Sequence, residues 1–432
     1  MTTSIMPDRT TAAARFSSGH LAPLARNLVM GRMAGIRNGR LAVIANGETL
    51  DFGSSEGPLP LTAILEVHDP RFWTATAFGG SIGAAESYMD GHWTSNDLTA
   101  LFRIILRNPD AFQGLDRGTG RLTAPLHRLF HLLRRNTRRG SRRNIAAHYD
   151  LGNDFYRLFL DETMTYSAGI FPDAQSTLQA ASLNKYDRIA RKLGLTDKDH
   201  VIEIGGGWGG FAEYAATHFG CRVTTTTISD AQYRYAKQRI AAAGLSDRVQ
   251  VLQKDYRDLN GRYDKLVSIE MIEAVGHQYL GDFFAACSGL LKPAGTMALQ
   301  AITITDQVYD QHVHSVDFIK RYIFPGSTIP STTAMLQAVT RRSDMRLFHL
   351  EEIGPHYART LAAWRRNFMD RLEDVRRLGY PESFIRMWEF YLAYCEAGFA
   401  ERYLGNVQMV LAKPLAREAP ILPAIEIDAV QQ

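Results

Sequence analysis

A short apolar run that empties into a cluster of glycines constrains this chain more than any other feature. The segment Val201-Ile-Glu-Ile-Gly-Gly-Gly-Trp-Gly-Gly210 reads as a strand, a loop and the opening of a helix, FAEYAATHF. Glycines let backbone amides approach a ligand closely, and a helix N-terminus favours electron-rich groups. A plain tight turn does not require so many glycines in succession, so the loop points to a ligand.

Strand and helix alternate on from this loop. CRVTTTTIS is a second strand, and AQYRYAKQRIAAAGL a helix closed by Gly244. RVQVLQKDY, YDKLVSIEMI and GTMALQAITI follow as strands, with the helix YLGDFFAACSGLL between the last two. NVQMVLAKP is expected as the closing edge strand. Such alternation predicts an α/β fold with a mostly parallel sheet covered by helices.

Taken alone, the loop leaves its ligand open. Gly205, Gly207 and Gly210 satisfy GxGxxG, and Asp230 lies about 20 residues on, as a nicotinamide site requires. Two features favour S-adenosylmethionine instead. Glu203 ends the strand where a carboxylate can meet the ammonium of a methionine moiety, and Thr227 to Gln232 offers polar groups to a ribose. Asp255-Tyr256-Arg257, after the third strand, can flank an adenine.

At 432 residues the chain exceeds one typical domain of about 100–200 residues. Asn38 to Asn108 carries its own apolar pattern. It holds LAVIANGETLDFG, a strand–turn–strand with Asn46-Gly47 at the turn, then a helical-looking run in LTAILEVHDPRFWTATAFGG, then SIGAAESYMDGHWTSNDLTALFRIIL. The expected layout is a smaller α+β N-terminal accessory domain over 1–125, a basic linker over 126–144, a catalytic domain over 145–415 and a tail over 416–432.

The net charge of +4 is unevenly placed: nine arginines and no acidic residue lie between Arg117 and His148. Leu126, Leu129, Phe130, Leu132 and Leu133 sit among Arg128, Arg134 and Arg135, a mix that suits an amphipathic helix on an anionic lipid surface as well as it suits a solvated linker. No aromatic residues interleave between Arg134 and Arg143, which disfavours nucleic acid. No stretch reaches the roughly 18 apolar residues of a spanning helix, and the N-terminus, with Arg9, Arg15 and Arg26, lacks a signal-peptide core. The three cysteines are scattered and form no CxxC, so neither a metal site nor a disulfide framework is expected. The predicted location is cytoplasmic, peripherally attached to a membrane.

Seven separate motifs resemble the cyclopropane-fatty-acyl-phospholipid synthase family, which includes the mycolic acid cyclopropane synthases. They are HYDLGNDFYRLFLDETMTYSAGIF (148–171), VIEIGGGWGGFAEYAA (201–216), TISDAQ (227–232), QKDYRDLNGRYDKLVSIEMIEAVG (253–276), DFIKRYIFPGSTIPS (317–331), YARTLAAWRRNF (357–368) and WEFYLAYCEAGF (388–399). The resemblance spans about Ile145 to Pro414; the N-terminal region is similar only in preceding the catalytic domain, as in longer bacterial members.

The resemblance implies a class I S-adenosylmethionine-dependent methyltransferase, a Rossmann-like sheet with helical lid insertions, acting on double bonds in the acyl chains of membrane phospholipids. A homodimer is compatible with the extra domain. Carried over by position, Tyr166 and Ser167 cover the cofactor, and Glu203, Gly205, Gly207 and Gly209 lie beneath its methionine part. Thr227 and Gln232 meet the ribose side, and Tyr256 flanks adenine. The family uses a bicarbonate ion as base. Its ligands correspond to Glu273, Tyr357, Gln300 and the backbone at Ile302 and around Ala168, and Cys395 takes the position called the active-site cysteine. There are departures: Tyr-Ser-Ala stands where the family has YSC, Glu273-Ala274 where many members have EH, and Gln300 where histidine is frequent. Plant-type members are similar at the last two sites.

Ring formation on a lipid implies aromatic faces for a transient cation, for which Tyr322, Phe324, Phe390, Tyr391 and Tyr394 are candidates. The arginine segment generates a separate prediction. The protein should co-sediment with anionic vesicles at low salt and release as salt rises, with each arginine contributing on the order of 1 kcal/mol. Equal binding to neutral vesicles at low salt contradicts this.

Overall fold

The computed structural model describes residues 18–57, 59–112 and 151–421. The arginine-rich segment, His148 and the last eleven residues of the tail lie outside them.

Two sheets organise the described chain. The first is built by β1 (Gly39–Ala45), β2 (Glu48–Ser54), β3 (Thr62–Val67) and β4 (Trp93–Ser95), in the order β2-β1-β3-β4. Asn46 and Gly47 both take positive φ, 54° and 79°, the turn geometry that fits the twist of a two-residue hairpin. The run LTAILEV is a strand, against the helical expectation. Ala63 and Leu65 alternate inward, and β3 pairs parallel with β1 from Thr62 to Val67. Helix begins only past Asp69-Pro70. Around this sheet pack α1 (Ser18–Met33), α2 (Arg71–Met89) and α3 (Leu98–Arg107), the last capped by the Asp97 carboxylate on Ala100 N. Within α2 the helix breaks at Gly80 (φ 59°, ψ −145°), a conformation open to glycine alone.

The second sheet has seven strands in the order β10-β11-β9-β8-β5-β6-β7. Its strands are β5 (His200–Ile204), β6 (Arg222–Thr227), β7 (Val249–Gln253), β8 (Tyr263–Ile269), β9 (Leu291–Ile304), β10 (Arg346–Glu352) and β11 (Leu404–Ala412). Helices α4 (Asn153–Arg157) and α5 (Leu178–Lys192) precede it. Then α6 (Gly210–Phe219), α7 (Asp230–Ala242) and α8 (Leu280–Leu290) serve as crossovers. Between β9 and β10 lie α9 (Asp306–His314) and α10 (Thr332–Arg342). Between β10 and β11 lie α11 (Gly354–Asp370), α12 (Leu372–Arg377) and α13 (Glu382–Ala400).

The last strand is not at the edge. β11 runs antiparallel between β9 and β10, and seven consecutive residues from Asn406 to Ala412 are buried, as suits a strand covered on both faces. The half-exposed β10, Arg346–Glu352, forms the edge. Its burial alternates weakly and its sequence mixes charge with apolar residues, so it carries little strand signal.

The first sheet shares a core with the helices that cover the second. A single buried cluster runs from Val29, Leu41 and Leu101 to Trp364 and Trp388. Phe102 of α3 packs edge-on to Phe390 of α13 with ring centroids 4.8 Å apart. Polar ties reinforce the contact: Tyr88 Oη donates to Glu389 at 2.7 Å, Thr99 to Glu396 at 3.1 Å, and Arg103 and Arg107 to Glu401 at 2.7 and 2.8 Å. Glu401→Ala strips two partly buried guanidinium groups of their shared acceptor. It should destabilise the protein by about 1.5–3 kcal/mol, read as a lower denaturant midpoint.

Candidate active site

The carboxyl ends of the parallel strands open into a cavity of about 1700 Å³, the usual place for a ligand in an open α/β sheet. The loop after β5 forms its floor. Gly205, Gly207 and Gly209 hold φ of 85°, 53° and 85°, and Gly209 caps α6. Gly206 is confined differently: a Cβ there would sit 1.8 Å from Thr225 Oγ1 and 2.8 Å from a Glu203 oxygen. The backbone ribbon thus lies bare against the space above it. Trp208 is anchored by its indole N–H to Asn153 at 2.8 Å, which ties the loop to the first motif of the catalytic segment.

Glu203 is 3 % exposed and accepts a hydrogen bond from Thr225 Oγ1 at 2.5 Å. Burial pushes its pKa up to about 7. Buried Lys185 attracts this carboxyl without forming an ion pair with it, so the ammonium of a methionine moiety can supply a direct ionic partner. Thr227 Oγ1 donates to Gln232 Oε1 at 2.9 Å, so these two side chains line the second strand end as a unit. Tyr256 stands edge-on against Phe283 at 5.4 Å, beside Asp255 and its ion pair with Arg257. Tyr166 and Ser167 border the same cavity; Tyr166 Oη is 2.9 Å from Tyr391 Oη, and Ser167 Oγ accepts from Lys185 at 2.7 Å.

Beside these groups lies a cluster of buried acids. Glu270 Oε1 accepts from Ala168 N at 3.0 Å, Gln300 Nε2 at 2.8 Å and Asn406 Nδ2 at 2.5 Å. Glu273 Oε1 accepts from Ile302 N at 2.6 Å. The other oxygen of each carboxylate is buried without a hydrogen-bond partner among the described residues. Burial, reinforced by the Glu270 carboxylate, pushes the Glu273 pKa up to about 8. Burial and Glu270 also hold the Tyr357 phenol well above its ordinary value. The Gln300 amide is oriented from behind. Lys192 Nζ donates to Gln408 Oε1 at 2.6 Å and Gln408 Nε2 donates to Gln300 Oε1 at 2.9 Å, which turns the Gln300 N–H groups toward Glu270.

These contacts bear on bicarbonate. The expected donors, Ala168 N, Gln300 and Ile302 N, are already taken by Glu270 and Glu273. A bicarbonate added here would meet the Glu270 carboxylate, and the three N–H donors expected to hold it are already engaged. The residues present do not fit the ion.

Other expectations are corrected or sharpened. Asp230 does not face the cavity; it is exposed and pairs with Arg234 along α7, which removes the nicotinamide arrangement. Of the five aromatic candidates, Phe324, Tyr391 and Tyr394 line the cavity. Phe390 instead packs on the first unit, and Tyr322 donates to Glu86 at 2.5 Å. Cys395 borders the cavity, and burial raises its thiol pKa far above neutrality, so it is present as the thiol.

Three residues escaped the sequence analysis. Lys185 is fully buried and the pull of burial takes its pKa down to about 8, opposed by Glu270, Asp161 and Glu203. Its signal was a lysine on the face of α5 that Ala181, Ile189 and Ala190 mark as inward. Glu270 lies three residues before Glu273 in a motif already singled out. Asn406 had no signal, since it depends on where β11 inserts.

The seven-stranded order with one antiparallel strand, the glycine floor and the helices inserted after β9 and β10 define a class I S-adenosylmethionine-dependent methyltransferase. The family model for mycolic acid cyclopropane synthetase matches residues 136–409, and the chain belongs to that family. It is 42% identical over 341 residues to the tuberculostearic acid methyltransferase UfaA1 of Mycobacterium tuberculosis, covering 77% of this chain and 79% of that protein. It is 34% identical over 357 residues to the cyclopropane-fatty-acyl-phospholipid synthase of Escherichia coli, covering 81% and 88%. The crystal structure of mycolic acid cyclopropane synthase CmaA1 complexed with SAH and CTAB matches with a TM-score of 0.59 at 28% identity, over 63% of this chain and 98% of that one. S-adenosylmethionine is the co-substrate.

Because the Glu203 carboxyl ionises near neutrality, affinity for S-adenosylmethionine should rise as pH increases through about 7. Calorimetric titration at about pH 6 and about pH 8 checks this, and Glu203→Gln should bind at least about tenfold more weakly at the higher pH and lose the dependence.

Proposed function

We propose that this chain transfers a methyl group to the cis double bond of unsaturated acyl chains in membrane phospholipids and closes a cyclopropane ring there. The cavity is the observation that carries the proposal. It joins the glycine floor to an apolar wall that includes Ile82, Leu106, Ile319, Phe324, Leu361 and Phe399, and its 1700 Å³ exceeds the roughly 300–1,000 Å³ of an ordinary small-ligand pocket. An acyl chain beside the co-substrate accounts for both its size and its lining. Among the described residues no helix is long and apolar enough to cross a membrane. The basic segment suits attachment to an anionic bilayer surface, from which the lipid is taken.

The sulfonium methyl of the co-substrate supplies the electrophile. The protein's part is to align the alkene with it and keep water out. Tyr391, Phe324 and Tyr394 face the space where positive charge appears on the acyl chain, and each aromatic face contributes about 0.5–2 kcal/mol to a cation. A buried carboxylate beside the cavity can receive the proton whose loss ends the reaction.

Methylation without ring closure is the alternative product, and the 42% identity to a tuberculostearic acid methyltransferase favours it. Feeding methyl-deuterated methionine to cells expressing the protein separates the two. Lipids that gain one CH2 with two deuteriums and resist mild hydrogenation carry a ring. Retention of all three deuteriums marks the branched chain. Absence of label from every acyl chain, with co-substrate binding intact, overturns the lipid assignment.

A further inference from the structure

We propose that Glu270 is this enzyme's own proton acceptor, a carboxylate built into the place where the family resemblance puts bicarbonate. The inference rests on the lipid methylation argued above and extends it to the identity of the base.

Three observations converge. First, the donors are spoken for: Ala168 N and Gln300 Nε2 point at Glu270 Oε1, and Tyr357 is buried against the same carboxylate. Asn406 adds a donor from β11 at 2.5 Å. Second, Glu270 Oε2 is buried at the cavity wall with no hydrogen-bond partner among the described residues. A bare oxygen there is costly unless something in the cavity uses it, so the arrangement fixes one oxygen and leaves the other to react. Third, Glu270 adopts φ 49°, a left-handed conformation that glycine takes freely and glutamate does not. Such strain of about 1–3 kcal/mol persists at sites where the surroundings require that particular side chain.

The step balances without any further reagent. Methyl attack leaves a cation on the chain carbon next to the methylated one. Glu270 takes a proton from the new methyl group, and the released C–H electron pair forms the second ring bond to the cationic carbon. Glu270 is left as the neutral acid and returns its proton to solvent after product leaves. Glu273, three residues on and anchored on Ile302 N, is the positioning neighbour and uses a different donor.

The test uses the full-length protein with unsaturated phospholipid vesicles, S-adenosylmethionine, and buffers stripped of carbon dioxide. Wild-type turnover should be the same with and without added bicarbonate. Glu270→Gly, which suits the backbone conformation, should lose at least about 100-fold in kcat without bicarbonate. It should regain turnover in proportion to bicarbonate added, with KM for lipid and affinity for S-adenosylmethionine within about twofold of wild type. A purely structural glutamate has no reason to be replaced by a small anion. Wild-type turnover that climbs on adding bicarbonate overturns the proposal, as does full activity of Glu270→Gly without it. Direct binding of ¹³C-bicarbonate, followed by NMR, reads the same site without turnover: none should bind to wild type, and one ion per chain should bind to Glu270→Gly. Bound bicarbonate in wild type overturns the proposal even if Glu270→Gly fails to fold. Should wild type leave every acyl chain unmodified, the lipid assignment falls, and the binding experiment still decides what occupies the Glu270 position.

Discussion

A carboxylate removed from water has to find donors inside the protein, and here that demand falls on Glu270, whose Oε1 gathers three of them. Its partners come from four separate parts of the chain. Ala168 belongs to the segment before the sheet, Gln300 to β9, Asn406 to β11 and Tyr357 to α11. Each must be in place for the others to be satisfied, because an orphaned donor or acceptor in this setting costs about 1–3 kcal/mol. Lys185, buried behind Ser167, supplies the positive charge that this pocket of acids otherwise lacks. The segment before the sheet, β9, α11 and the last strand are therefore coupled through one small polar cluster rather than through apolar packing alone.

The placement of β11 makes this cluster possible. Side chains two apart on a strand share a face, and Asn406 and Gln408 use that face differently. Asn406 reaches Glu270 directly, while Gln408 passes orientation from Lys192 to Gln300. In the register of the sheet they lie opposite Ile302 and Gln300, the very residues of β9 that serve the two glutamates. An edge strand could not do this, since half its neighbours would be solvent. The first unit has an analogous role at the opposite wall. Its helix α2 breaks at Gly80, and the residues around that break border the cavity, so the N-terminal unit shapes the site as well as packing against α13.

Much of this was legible in the chain itself. The glycine run, the alternation of strand and helix, the Asn46-Gly47 hairpin and the helix closed by Gly244 are local events: turn chemistry, periodicity and capping act over a few residues and leave their mark in sequence. Glu203 was legible because strand ends beside a glycine loop have a known geometry. Where local signals mislead, the reason is also local. LTAILEV has apolar residues that fit either period, and only its pairing with β1 makes it a strand. The five aromatic residues proposed to line the site are alike in sequence, yet a helix facing two partners sends Phe390 toward one and Tyr391 toward the other.

By itself, then, the sequence determined the α/β class, the methyl-donor loop, the motifs of the family and the set of acids and aromatics available for chemistry. Those features depend on backbone preferences and on residue types at short spacings. Only the tertiary structure decided that β11 lies inside the sheet, that Asp230 turns to solvent, and that Glu270 rather than a free ion meets Ala168, Gln300 and Asn406. These outcomes depend on contacts between residues up to 136 positions apart. No window of sequence contains both partners of such a contact, and the cost of leaving either one unmet inside the protein is what fixes the choice.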